Sequence, residues 1–259
     1  MGRPVKTTTE TTTETTGKGP AVPGDRAAPG AGPGGGGGTP WIHPNDLRVG
    51  ILGGTFDPIH YGHLAIAEEV REALQLDRIL FVPAARPPHK LDEEVAPATD
   101  RAAMVALAIA GNSAFSMSRI ELERDGPSYT ADTLGELADE AARQRVARSL
   151  YFIISAEALA SLGTWHEPAR ILELARLAVV PRPGSPLPGG AALAAMLPGG
   201  SGSVARVECV ETVPLANSSS DVRARAAAGR SIRYLVPPAV ESYIHEHRLY
   251  RSTSQVRTA

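Results

Sequence analysis

The chain has 259 residues, with 26 lysines and arginines against 28 aspartates and glutamates, and a formal net charge of -2. That balance gives no field strong enough to attract nucleic acid or a membrane surface, so neither is expected as a partner. The single cysteine, Cys209, excludes an internal disulfide and a multi-cysteine metal site, and it fits a reducing, cytoplasmic compartment.

The first 45 residues run through TTTETTTETT and GAGPGGGGGTP with almost no bulky apolar side chain. Such a segment cannot offset the entropy of ordering itself, which predicts a disordered tail of low complexity. No continuous apolar region follows its basic residues, so a secretory signal is not expected. We expect one ordered domain over residues 46–251 and a short C-terminal tail over residues 252–259.

Apolar runs that predict strands alternate with segments of helical spacing from residue 47 onward. The predicted strands are LRVGIL (47–52), RILFVPA (78–84), FSMSRIELE (115–123), SLYFIIS (149–155), RLAVVPR (176–182) and VARVECVETV (204–213). Helical spacing is found in HLAIAEEVREAL (63–74), TDRAAMVALAIAG (99–111), SYTADTLGELADEAARQ (128–144) and over 221–228 and 238–247. A Pro/Gly/Ala-rich insert lies between the last two strands, and Cys209 is expected at a half-buried position of the last one.

This alternation predicts an α/β fold. Parallel strands need crossover connections, so strands separated by helices imply a parallel sheet that is covered on both faces. The expected architecture is a single-domain, Rossmann-like doubly wound sheet. Ligands of such sheets bind beyond the carboxyl ends of the strands at a topological switch point, so the loops after the first, second and fourth strands are the candidate site.

The segment GGTFDPIHYGHL, residues 53–64, falls where the first of these loops should be. Gly53 and Gly54 let backbone N–H groups approach a ligand, and the N-terminus of the following helix favours an anion. His60 and His63 are three residues apart, so both imidazoles can donate to one phosphate. The glycines alone could be a tight turn, and the histidines with Asp57 could hold a metal, but HExxH is absent and no third ligand is evident.

A second anion-binding element is predicted near the C-terminus by NSSSDVR, residues 217–223. Its serines are good N-cap residues, and Arg223, one turn into the helix, adds a planar fork of donors suited to a polyphosphate. A serine run alone is most often a solvated loop, so the value of this turn lies in its pairing with HYGH.

The glycine loop matches neither GxxxxGK[ST] nor GxGxxG. It resembles the nucleotidyltransferase superfamily marked by an HxGH motif, and within it the bacterial nicotinate-nucleotide adenylyltransferases. Further blocks of the chain are similar to that family: FVPAARPPHK, RIELERDGPSYTADTL, LYFIISAEALASLGTWHEP, VVPRPG and LVPPAVESYIHEHRLY. One block departs from it, because the chain reads IISAE where the family usually reads IIGAD.

The resemblance implies transfer of the adenylyl group of ATP to nicotinate mononucleotide, giving nicotinate adenine dinucleotide and pyrophosphate in NAD biosynthesis. The mononucleotide phosphate would attack the α-phosphorus directly, and Mg²⁺ would arrive with ATP rather than occupy a fixed protein site. The same chemistry on nicotinamide mononucleotide or phosphopantetheine is an alternative, as is a non-catalytic nucleotide sensor. A homo-oligomer is left open.

The resemblance also implies roles for particular residues. The motif histidines, His60 and His63, would hold the reacting phosphates. ATP would be bound by Gly53, Gly54, Thr55, Phe56, Glu157, Ser219, Ser220 and Arg223. The mononucleotide would be bound by Lys90, Tyr129, Thr130 and Trp165. On spacing alone, Trp165 could equally pack in the core and Lys90 could be a solvated loop charge.

Overall fold

The computed structural model describes residues 47–86, 95–182, 184–213 and 215–251. The two tails predicted over 1–45 and 252–259 lie outside the described residues, as does Lys90. Within the described part, no helix combines the length and the apolar character needed to cross a membrane.

Six parallel strands form one sheet in the order β3-β2-β1-β4-β5-β6. Their bounds are β1 (Leu47–Gly54), β2 (Arg78–Pro83), β3 (Phe115–Met117), β4 (Arg148–Ser155), β5 (Arg176–Val180) and β6 (Val207–Cys209). The predicted Rossmann-like parallel sheet is therefore confirmed. The strand order reverses between β1 and β4, which makes the space beyond their carboxyl ends the switch point.

Helices cover both faces of this sheet, as crossover connections require. They are α1 (Tyr61–Ala73), α2 (Ala98–Ile109), α3 (Thr130–Arg143), α4 (Ala156–Ala160), α5 (Pro168–Leu174), α6 (Gly190–Met196), α7 (Ser219–Ala227) and α8 (Pro238–Glu246). Two 3-10 helices span Leu162–Thr164 and Gly200–Arg206. The second of them and α6 occupy the Pro/Gly/Ala-rich insert, for which the sequence predicted no regular structure.

The core consists of two apolar layers, one on each face of the sheet. Val70 of α1, Met104 of α2 and Val240 of α8 share one layer with Tyr151 of β4. Leu134 of α3 shares the other layer with further residues from β1, β4, α5 and α6: Ile51, Phe152, Ile171 and Leu193. Successive residues of β4 thus point to opposite layers, as the period of two in a strand dictates.

Three strand predictions were too long by two residues or more, and β5 ends at Val180 rather than at residue 182. β3 ends at Met117 rather than at residue 123, because its neighbour β2 ends two residues beyond their last pair, at a proline that has no N–H to donate. β6 covers only Val207–Cys209, because the residues before it form a 3-10 helix. The expectation that Cys209 is half-buried was wrong, since this short edge strand leaves the thiol exposed.

Candidate active site

The two motif histidines lie at the switch point, where the loop after β1 enters α1. His60 is the N-cap residue of α1 and is buried, and His63 follows in the first turn and is half-buried. Their rings stack with centroids 3.8 Å apart and planes 25° from parallel. The spacing of three residues therefore brings the two imidazoles together, as the sequence predicted.

A hydrogen bond fixes the orientation of the second imidazole. The backbone N–H of His60 donates to Nδ1 of His63 at 3.2 Å. Neutral His63 therefore carries its proton on Nε2, which is the nitrogen left to donate to a ligand. Gly62 is needed between the two, because a Cβ at that position would lie 3.0 Å from the His60 ring.

Both imidazoles are neutral at pH 7 in the protein without ligand. Burial, followed by the charge of Arg182, lowers the pKa of His60 from 6.5 to about 4. The pKa of His63 is also lowered, by burial and by the nearby His60 and Arg182. A bound polyphosphate would oppose these effects, because negative charge favours the protonated ring.

The lowered pKa of His60 predicts a pH-dependent stability. Between pH 6.5 and about 4 the unfolded chain binds a proton at His60 that the folded chain does not, so the free energy of unfolding falls as the pH falls. Between pH 7 and pH 5 we expect the wild type to lose on the order of 1 to 2 kcal/mol more than His60→Gln. Urea unfolding at the two pH values measures this difference, and equal losses would contradict the buried, neutral state of His60.

A cavity opens beside the histidine pair. Its lining includes His60, His63, Glu157, Arg182 and Ser218. Glu157 is exposed and forms an ion pair with Arg182 at 3.3 Å. The neighbouring Ser155, where the IIGAD pattern has glycine, caps α4 by accepting a hydrogen bond from the N–H of Ala158 at 3.1 Å.

The serine turn, which begins α7, lies against the histidine loop, which is the segment from the end of β1 to His63 in the first turn of α1. Ser218 is the N-cap residue of α7 and accepts a hydrogen bond from the N–H of Asp221 at 3.0 Å. The hydroxyl of Ser219 donates to the carbonyl of Pro58 at 2.9 Å, and Nη1 of Arg223 donates to the carbonyl of Asp57 at 2.8 Å. Two motifs separated by more than 150 residues in the sequence are thus fastened together at one end of the sheet.

A second cavity borders the loop after β1. It is lined by Gly53, Gly54, Thr55, Thr130 and Trp165, together with Phe152, Glu121 and Ser128. Trp165 is half-buried and meets the Phe152 ring edge-on at 6.2 Å. The glycine loop, which the resemblance implied would bind ATP, therefore borders the cavity lined by Thr130 and Trp165, two of the four predicted mononucleotide residues.

Two predicted residues occupy positions that limit their roles. The Phe56 ring is buried and packs edge-on against His63 at 5.1 Å, so only its backbone can meet a ligand. Tyr129 is the N-cap residue of α3, and its ring lies 4.5 Å from that of His166, outside the lining of the second cavity. Ser220 lies in the first turn of α7, where its Oγ accepts a 3.4 Å hydrogen bond from Arg223.

Arg101 of α2 is a buried residue of the site that sequence reasoning missed. Its guanidinium donates to the carbonyls of Thr55, Ala84 and Ala85, and its Nε donates to that of Ala96. It thereby ties the loop after β1 to the loop after β2. The available signal was a charged residue on the apolar face of a helix, three and four residues before Met104 and Val105.

Three side chains that could ligate a metal come together elsewhere. Among the described residues, Asp132, His166 and Glu167 are the group of three whose potential ligand atoms lie within 4.8 Å of one another. This group does not include His60 or His63, so the HxxH pair has no third protein ligand within the described part of the chain.

The site can now be compared with known proteins. The cytidylyltransferase-like family matches residues 51–225, which include both the HYGH and the NSSS segments. A probable nicotinate-nucleotide adenylyltransferase of Roseiflexus sp. (strain RS-1) is 52% identical over 205 residues, covering 78% of this chain and 98% of the relative. The chain belongs to the nicotinate-nucleotide adenylyltransferase family.

Other members of this adenylyltransferase family agree with that assignment. A probable nicotinate-nucleotide adenylyltransferase of Thermus thermophilus is 47% identical over 79% of this chain and the whole relative. The solved Plasmodium falciparum nicotinic acid mononucleotide adenylyltransferase complexed with NaAD superposes with a TM-score of 0.63 over 78% of this chain and 97% of that one. Because the identity is 18%, this comparison supports only the fold of this adenylyltransferase.

Proposed function

We propose that this enzyme transfers the adenylyl group of ATP to nicotinate mononucleotide, producing nicotinate adenine dinucleotide and pyrophosphate in NAD biosynthesis. The observation that carries the proposal is the stacked His60 and His63 pair at the switch point, fastened to a second helix N-terminus that bears Arg223. The choice of acceptor rests on the relatives, whose names specify the nicotinate nucleotide. We assign the domain to residues 46–251.

In the proposed reaction, a phosphate oxygen of nicotinate mononucleotide attacks the α-phosphorus of ATP. A new P–O bond forms, the bond between the α-phosphorus and the bridging oxygen breaks, and pyrophosphate leaves with the electron pair. No protein nucleophile is needed, so the enzyme acts through position and charge. His63 would donate through Nε2 to a phosphate oxygen, and His60 would contribute the second imidazole of the pair.

The cavity beside the histidines is the proposed ATP side. Its cationic and hydrogen-bonding groups suit a triphosphate: Arg182 lines it, and the N-terminus of α7 borders it through Ser218. We propose that Ser219, Ser220 and Arg223 take the β- and γ-phosphates and that Glu157 contacts the adenosine. Glu157 is exposed, so it can exchange its 3.3 Å ion pair with Arg182 for the nucleotide at low cost.

The second cavity is the proposed mononucleotide side. Trp165 offers an aromatic face for the nicotinate ring, and Thr130 begins α3, whose N-terminal N–H groups suit the carboxylate. Gly53, Gly54 and Thr55 line this cavity and precede the histidines in the same loop, so we propose that the acceptor phosphate reaches the α-phosphorus along them. Tyr129 and Lys90 complete the proposed mononucleotide set, although Lys90 lies outside the described residues.

We further propose that Mg²⁺ accompanies the triphosphate. The ATP-side cavity fits a metal carried by the substrate, because its one carboxylate, Glu157, is engaged by Arg182 among the described residues. When bound, the ion would neutralise charge on the phosphates. The single cysteine and the NAD-biosynthetic reaction both support an enzyme that works in the cytoplasm.

The experiment that tests this function supplies the full chain with Mg-ATP and nicotinate mononucleotide. We expect pyrophosphate and nicotinate adenine dinucleotide in equal amounts, measured by a pyrophosphate assay and by mass spectrometry. ATP binding without either product would contradict the proposed enzymatic function and favour a non-catalytic nucleotide sensor.

A further inference from the structure

The chain turns sharply after α8 and brings its C-terminal tyrosine back to the site. The N–H of Leu249 donates to the carbonyl of Ile244 at 3.0 Å, and Arg248 has a positive φ of 55°, which together form a helix-ending turn. Tyr250 follows, also at positive φ, and its hydroxyl donates to Oδ1 of Asp57 at 2.7 Å. The two residues are 193 positions apart.

Asp57 is a buried carboxylate in the middle of the histidine loop. Only 2% of its surface is exposed, and its Oδ1 also accepts the N–H of Ala96 at 3.3 Å. Its Oδ2 is buried and has no hydrogen bond within the described part of the chain. Arg223 pairs with this carboxylate, with its Nη1 3.6 Å from Oδ2. The charge of the buried Arg101 also acts on Asp57.

Arg223 is anchored to the same residue twice. Its Nη1 donates to the backbone carbonyl of Asp57 at 2.8 Å and faces the carboxylate of Asp57 as well. A 3.4 Å hydrogen bond from Nη2 to Ser220 is the other contact that holds the guanidinium within the described residues. Two groups of Asp57 thus bear on the position of Arg223, the backbone carbonyl through a hydrogen bond and the carboxylate through its charge.

We propose that Tyr250 is a positioning residue for Arg223, acting through Asp57. Its hydroxyl satisfies Oδ1, so the carboxylate makes only a loose pair with the guanidinium and leaves it available for a polyphosphate. Without that hydroxyl, Oδ1 keeps only the longer bond from Ala96, and a buried, poorly satisfied carboxylate draws the guanidinium toward itself. The inference rests on the proposed function in one respect, namely that Arg223 contacts the phosphates of ATP.

The test is the Kd for Mg-ATP, measured by titration calorimetry on the full chain. Tyr250→Phe removes one hydroxyl and keeps the ring. Tyr243→Phe is the matched control, because Tyr243 packs against the same apolar layer and donates to a different carboxylate, that of Asp100, at 2.9 Å. We expect Tyr250→Phe to raise the Kd by about 3- to 10-fold, the value of one hydrogen bond, and Tyr243→Phe by less than about twofold.

A second pair of variants separates positioning from a general loss of stability. In an Arg223→Lys background, which lacks the planar fork, Tyr250→Phe should change the Kd by less than about twofold, because the residue through which it acts is gone. Equal Kd values for Tyr250→Phe and the wild type would overturn the inference. So would an undiminished effect in the Arg223→Lys background.

These outcomes are separate from those that concern the reaction. A wild-type protein that binds Mg-ATP but makes no dinucleotide would overturn the proposed function and leave the positioning role to be judged by the Kd values. A wild-type protein that does not bind Mg-ATP would overturn both.

Discussion

His60→Ala and His63→Ala are each expected to lower kcat by at least about 100-fold, which is the loss seen when a preorganised donor to a developing charge is removed. The expectation follows from geometry. The two rings stack at 3.8 Å, so each imidazole packs against the other, and the backbone N–H of His60 further orients His63. Alanine at either site removes one imidazole donor and takes away the ring against which the other imidazole packs.

Steady-state kinetics with saturating Mg-ATP and nicotinate mononucleotide measures this effect. His245→Ala is the control, because it removes an exposed histidine from α8 and should leave kcat within about twofold, as exposed substitutions outside a site usually do. Near-normal turnover in both motif variants would contradict the roles given to the two histidines.

Arg101→Met is expected to lower the free energy of unfolding by about 3 to 5 kcal/mol, in the range for breaking a buried charged network. Arg101 is 1% exposed, and its guanidinium donates to four carbonyls, those of Thr55, Ala84, Ala85 and Ala96. Methionine fills much of the same volume but leaves those oxygens without their donor.

Urea unfolding of Arg101→Met and Arg119→Met compares this buried cation with an exposed one. Arg119 forms a surface ion pair with Glu123 at 3.4 Å, so its replacement should cost less than about 1 kcal/mol. Arg101→Lys should fall between the two, because one ammonium keeps the charge but cannot span all four carbonyls. Equal stability of Arg101→Met and Arg119→Met would show that the hydrogen bonds from Arg101 to the two loops do not stabilise the fold.

The sequence was informative wherever function is encoded by neighbouring residues. HYGH and NSSS are local patterns whose chemistry follows from residue type and spacing, and both motifs meet at the switch point. The strand alternation predicted the parallel sheet for the same reason. The lengths of β3 and β6 could not be predicted from their own alternation, because β2, the neighbour of β3, ends at a proline and a 3-10 helix takes the residues before β6.

The supporting residues were missed because their roles depend on distant partners. Asp57 was considered only as a metal ligand, whereas its carboxylate accepts a hydrogen bond from Tyr250, 193 positions away. Arg101 reaches carbonyls on two loops, 46 and 17 residues earlier in the chain. Nothing in the local sequence of either residue specifies these contacts, which arise only when the sheet brings the loops together.

The choice of acceptor is tested by measuring kcat/KM with Mg-ATP for nicotinate mononucleotide, nicotinamide mononucleotide and phosphopantetheine. The nicotinate carboxylate only accepts hydrogen bonds, whereas the amide also donates, so a pocket built from N–H donors at the start of α3 should distinguish them. We expect the highest kcat/KM for nicotinate mononucleotide. A higher value for either of the other two acceptors would contradict it.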